Sequence, residues 1–168
     1  PEDLEGLHFR IPAGEIIEKT YSALGASAVS IPFDELFMAL QQGTVDGQEN
    51  TFSNIETKKL DEVQKYMTIS EHNRLDYVLL TNTTFWESLN DPTREIIEKG
   101  IQMGTEVART KAKEINEESL KILKERSAIE IYELNEEETE KFREAVKPVY
   151  EEFGDIIGQD IIEEAMRY

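Results

Sequence analysis

The stretch "FDELFMALQQGTVDGQEN" (Phe33–Asn50) changes its periodicity partway along, and that change decides the fold class. Asp34 stands where a helix N-cap is expected, and Leu36, Phe37 and Leu40 follow at helical spacing. Gly43 suits the helix end. Val45–Glu49 is then short and flanked by turn residues, which reads as a strand carrying its polar groups toward Asn50. Upstream, "LHFRI" alternates apolar Leu7, Phe9 and Ile11 with polar His8 and Arg10, a period of two, and Pro12 ends it. Glu15 to Leu24 places Ile16, Ile17, Tyr21 and Leu24 on one helical face, with Gly25 just beyond, and "SAVSI" reads as a second strand. A helix from Phe52 to about Gln64 completes an order of strand, helix, strand, helix, strand, helix, which argues for α/β layering.

Further along, "YMTIS" and "DYVLLTN" read as two more strands. Asp91-Pro92 reads as a helix start, a cap followed by proline at the first helical position. The helical pattern runs from there to about Glu125, long for a globular helix. Gly100 and Gly104 within it suggest a bend or close packing. "AIEIYEL" reads as a strand, and Asn135 with Glu138 has the form of a capping box. Pro148 is expected to kink or divide the helix after it. Gly154 and Gly158 are expected to bracket a turn before an acidic helix, Gln159–Arg167.

Composition narrows the functional classes. The 168 residues carry 18 Lys and Arg against 36 Asp and Glu, a net charge of −18. That balance opposes nucleic acid and anionic lipid as partners, since both call for a basic surface; its ordinary role is a solvated acidic face. The absence of cysteine excludes a disulfide framework, a thiolate metal site and a cysteine nucleophile. No apolar run is long enough to span a bilayer. A chain opening at Pro1 without Met is expected to be a fragment or a processed product, in which a missing signal peptide says little.

Arg10 is the sharpest single residue. It lies near the end of an apolar strand, where α/β sheets commonly face a ligand, and a guanidinium there can grip a carboxylate with two bonds. The ordinary alternative is a surface ion pair. His8 and His72, the two histidines, lack metal-ligand spacing, so no metal or cofactor is expected. There is no nucleophile elbow, P-loop or dinucleotide fingerprint, and "TVDGQEN" lacks the calcium-loop pattern. No catalytic constellation emerges. Phe33 reads either as core or as the apolar wall of a pocket, and Trp86 with Phe85 as a satellite hydrophobic contact.

Taken in order, "GLHFRIP", "LGASAVSIPFDELFMALQQGTVDGQEN", "EVQKYMTIS", "FWESL" and "FREAVKPVYEEFG" resemble the solute-binding proteins of tripartite ATP-independent periplasmic (TRAP) transporters, the DctP-type family. The resemblance implies a periplasmic binding protein-like, type II-like α/β lobe with a long spine helix. It implies an extracytoplasmic protein that is not an enzyme, closing on an organic acid (a dicarboxylate, sugar acid or sialic acid) and passing it to the membrane subunits. Arg10 matches the family's carboxylate-gripping arginine, Asn50 its ligand-bonding asparagine and Phe33 its pocket aromatic; Gln48 and Glu49 fall beside them. Thr51 stands where the family usually has Pro, and "IPAGEI" departs from the relatives' Asn or Ser after the arginine. Relatives carry a whole lobe before "GLHFR". By resemblance, residues 1–75 and 116–168 form one lobe and 76–115 cross to another that is largely missing here, so that the crossing segment is expected to be covered in a homo-oligomer or by segment swapping. A sensing domain on the same binding fold is the first alternative, and a carboxylate-based enzyme the second.

Overall fold

The computed structural model describes residues 1–165. Three parallel strands form one sheet in the order β2-β1-β3: β1 (His8–Ile11), β2 (Ser27–Ser30) and β3 (Gly47–Gln48). The connections are α1 (Glu15–Ala23) and α2 (Leu36–Gln41). A second parallel pair joins β4 (Tyr66–Ile69) to β5 (Glu130–Glu133). Between β3 and β4 lies α3 (Phe52–Thr57), and between β4 and β5 lie α4 (Thr83–Ser88) and α5 (Asp91–Arg126). The chain continues through α6 (Glu136–Ile157) and α7 (Gln159–Ala165). Parallel strands need crossover connections, and the helices supply them.

Two apolar clusters hold these layers. Ile11, Tyr21, Leu24 and Ala26 pack with Phe9 and with Phe142, Ala145 and Val146 of α6. Leu36, Leu40, Val45, Ile55, Leu60, Met67, Leu123 and Ile129 form the second cluster, which ties both sheets together. Leu36, Leu60 and Leu123 are 0–1% exposed. Each such side chain contributes about 1.5–3 kcal/mol relative to an exposed position. The ends of α1 and α2 follow the sequence, with Gly25 (φ 85°) and Gly43 (φ 70°) in the left-handed region just past each helix. The capping box at Asn135 and Glu138 is formed in both directions.

Several expectations are corrected. Asp34 does not cap α2; it lies in a 3-10 turn, Phe33–Glu35, and its carboxylate sits 3.4 Å from Lys58 Nζ. The helix expected over Phe52–Gln64 stops at Thr57. Lys59 turns into the left-handed region (φ 59°), and a 3-10 turn, Leu60–Glu62, then drives Leu60 into the core. "DYVLLTN" forms no strand, because no strand lies beside it to supply a hydrogen-bonding edge; residues 71–82 are irregular. Asn90, rather than Asp91, caps α5, accepting from the Thr93 amide, and Pro92 then sits one position further in. α5 passes through Gly100 and Gly104 with nothing packed close to either. α6 runs unbroken past Pro148, its packed face outweighing the one ladder bond a proline forfeits. Gly154 therefore lies inside α6, and Gly158 (φ 101°) alone makes the turn. The expected end of the last helix at Arg167 lies outside the described residues.

The two halves of α5 differ. Ser119 and Leu123 are buried, and Asn116 Oδ1 accepts from the Ser53 amide at 3.1 Å at the start of α3. Arg126 pairs with Glu56 at 2.9 Å. Toward the N-terminus, Ile96, Ile101, Met103 and Val107 are exposed. Tyr77, Val78, Leu79 and Leu80 are 73–90% exposed, an unusual state for four consecutive large apolar residues.

Candidate functional site

All of the site residues singled out in the sequence lie at the carboxyl ends of the first sheet, the edge at which parallel sheets present ligands. Arg10 pairs in register with Gln48 on β3 and Val29 on β2. It is 4% exposed, and its Nε donates to the Ile31 carbonyl at 2.9 Å. That bond holds the fork through Nε, and the two terminal NH₂ groups keep an opening toward the surface, since among the described residues no fully buried side-chain nitrogen or oxygen is left without a partner. Phe33, delivered by the turn after β2, has its ring centroid 5.8 Å from the Arg10 Cζ. Lys58 lies 5.3 Å from the same ring, so the aromatic is flanked by two cations.

Burial lowers the Arg10 pKa, and Glu49 opposes that shift. An arginine remains charged under either influence. Glu49 is pushed upward by burial and held back by Arg10. Acid and base therefore share one corner of the site.

Gln48 and Asn50 belong to a chain of carboxamides. Asn54 Nδ2 donates to Asn50 Oδ1 at 2.7 Å, Asn50 Nδ2 to Gln48 Oε1 at 2.7 Å, and Gln48 Nε2 to Gln64 Oε1 at 3.1 Å. Each amide is oriented by the next, and Asn50 still keeps one N–H and one lone pair for a ligand. Thr51 caps α3 by accepting from the Asn54 amide at 3.3 Å. The hydroxyl thus supplies a specific contact at the same helix start.

Sequence reasoning missed four residues of this neighbourhood. Asn54 and Gln64 extend the amide chain. Tyr21, assigned to a helix face, stacks on Phe9 at 4.6 Å and directs its hydroxyl to His72 Nε2 at 3.2 Å. His72, considered in the sequence only as a metal ligand, comes within 3.9 Å of Glu49 Oε2. The two separate histidines gave no local signal for this meeting. Trp86 and Phe85 lie in α4, and Phe85 is exposed. Among the described residues no cluster of acids and histidines could hold a metal ion.

Residues 1–155 match the family model described as "Bacterial extracellular solute-binding protein, family 7", DctP. The chain is 38% identical over 166 residues to the C4-dicarboxylate-binding protein DctB of Bacillus subtilis, covering 99% of this chain and 47% of that protein. It is 39% identical over 162 residues to the C4-dicarboxylate-binding periplasmic protein DctP of Rhodobacter capsulatus, covering 96% and 49%. A crystal structure of a TRAP periplasmic solute-binding protein from Shewanella oneidensis with bound succinate superposes with a TM-score of 0.93 at 34% identity, covering 97% of this chain and 53% of that one. The chain spans about half the length of the curated relatives it matches.

Proposed function

Because the chain belongs to the bacterial extracellular solute-binding proteins of family 7, we propose that it serves a TRAP transporter outside the cytoplasm, binding an organic acid by its carboxylate for delivery to the membrane subunits. The observation that carries this reading is Arg10, a buried guanidinium at a strand end, held by one backbone bond with its terminal donors uncommitted. It pairs bidentately with the ligand carboxylate. Asn50, held by the amide chain, bonds a second ligand oxygen; Gln48 orients Asn50, Glu49 borders the arginine, and Phe33 forms the apolar wall. A C4-dicarboxylate is the ligand class named for the DctB and DctP relatives and fits a site with one fixed cation and adjoining amide donors. The role is binding without turnover, as the names of the curated relatives describe.

Residues 1–75 and 116–168 are assigned to one ligand-binding lobe, and 76–115 to a segment that crosses toward a second. The exposed side chains of Tyr77–Leu80 and of the first half of α5 support that division. Closure of a second lobe over Arg10 would remove water and strengthen the ion pair.

Calorimetry on the full-length protein with succinate, L-malate, D-galacturonate and sialic acid tests this. Arg10→Ala is expected to weaken binding of the acid by a factor on the order of 100 or more, since truncating one side of a buried charge pair costs about 2–5 kcal/mol. Near-native affinity in that variant would overturn the role of Arg10.

A further inference from the structure

Glu49 is an acid in a site built to receive an acid. Its side chain is only 15% exposed, and Coulomb's law places a penalty on any anion brought beside it. His72, from the segment after β4, brings Nε2 to 3.9 Å from the Glu49 Oε2; Arg10 of β1, which pairs in register with the adjacent Gln48, and Tyr21 of α1, which bonds the same His72 nitrogen, interact with Glu49 electrostatically. The other acid of β3's approach, Asp46, is engaged elsewhere: its carboxylate accepts from the His8 amide at 2.8 Å and lies 3.5 Å from the His8 ring. His72 is fixed at both ring nitrogens, by Tyr21 through Nε2 at 3.2 Å and by Ser70 Oγ through Nδ1 at 2.7 Å. Its ring meets Tyr21 edge-on, with centroids 6.2 Å apart.

We propose that Glu49, backed by His72 and Tyr21, is a proton-binding site coupled to the ligand site, and that an organic acid binding at Arg10 draws a proton onto the Glu49 carboxylate. The proposal rests on the assignment of Arg10 as the carboxylate anchor. Burial favours the neutral form of Glu49, and the charge of Arg10 works against it as the lesser influence. A ligand carboxylate on Arg10 cancels that charge and adds a second anion nearby. Two carboxylates sharing one desolvated corner do not both stay ionised cheaply, so one takes a proton. The balance is simple: ligand anion and one solvent proton enter, and the complex holds the carboxylate on Arg10 and a neutral carboxyl on Glu49. His72 does not supply the compensating charge in advance, because partial burial lowers its pKa and favours the neutral ring. Binding of the acid thereby becomes tighter as pH falls, and the site's preference for anions depends on proton supply.

The test is calorimetric titration of the full-length protein with succinate in buffers of differing ionisation enthalpy, above the pH range in which succinate itself titrates. The wild type is expected to take up a measurable fraction of a proton, at most about one per ligand, and its affinity to fall with rising pH by up to about tenfold per unit. Glu49→Gln, checked for folding by its melting curve, is expected to abolish the uptake and flatten the pH profile. Succinate binding by the wild type without proton uptake would overturn the proton site while leaving the ligand reading intact. So would uptake that persists in Glu49→Gln and disappears in His72→Gln. Failure to bind any of the four acids would overturn the ligand reading and the proton site with it.

Discussion

Gly47 shows how tightly the site's strand is constrained. A Cβ built there would lie 2.5 Å from Phe9 Cε2 and 2.9 Å from Phe9 Cδ2. The Phe9 ring is itself pinned by its stack on Tyr21, so it cannot simply swing aside. Gly47→Ala is expected to destabilise the protein by about 1–3 kcal/mol, the cost of overpacking, measurable by chemical denaturation. Phe9→Leu in the same chain should recover part of that loss, whereas a backbone origin would leave it unchanged. Glycine in the "DGQEN" stretch thus has a packing reason that a turn signal alone does not disclose. Arg10 was legible because a lone charged residue at the end of an apolar alternation is conspicuous. Tyr21 and His72 were not, because a tyrosine on an apolar helix face and a solitary histidine look like ordinary packing until their ring atoms meet.

The elements divide by how local their determinants are. α6 begins where the sequence places it, since the Asn135–Glu138 box is complete within four residues, and Glu136, Glu137 and Glu138 complement the positive end of the helix dipole. Asn135→Ala is expected to cost about 1 kcal/mol, read as a lower melting temperature, with the first turn of α6 losing hydrogen-exchange protection before the rest. Loss of protection uniformly along α6 would contradict a local capping effect. The helix after β3 failed as a sequence reading for the opposite reason. Phe52–Gln64 has enough helical spacing to continue, but burial of Leu60 against the core is achieved only by breaking at Lys59. "DYVLLTN" has strand composition without a strand's neighbour, and β-propensity expresses packing against a partner rather than a backbone preference.

At the scale of the whole molecule, the apolar surface of Tyr77–Leu80 and of α5 before Asn116 sets the behaviour of a chain of this length. α5 has 36 residues, and at a rise of roughly 1.5 Å each its exposed half extends well beyond the packed body. A chain limited to these 168 residues is expected to self-associate through that surface, as a homo-oligomer or by exchange of the segment, and sedimentation should show mass rising with concentration. Leu79→Asp with Leu80→Asp is expected to reduce the association. A folded monomer at all concentrations would argue against the assignment of 76–115 as a crossing segment.

The sequence by itself determined the alternation of strands and helices, the cap of α6, the glycine stops of α1 and α2, and the presence of a guanidinium at a strand end. Each follows from residues within one or two turns of one another, where spacing and chemistry suffice. Only the tertiary structure decided which polar groups share the site. The Tyr21–His72 contact joins positions 51 apart, and the Gln48–Gln64 bond positions 16 apart. Their meeting depends on the β2-β1-β3 register and on where the chain breaks after α3. That is why Arg10 was visible in one dimension, and the acid, ring and hydroxyl gathered around it were visible only in three.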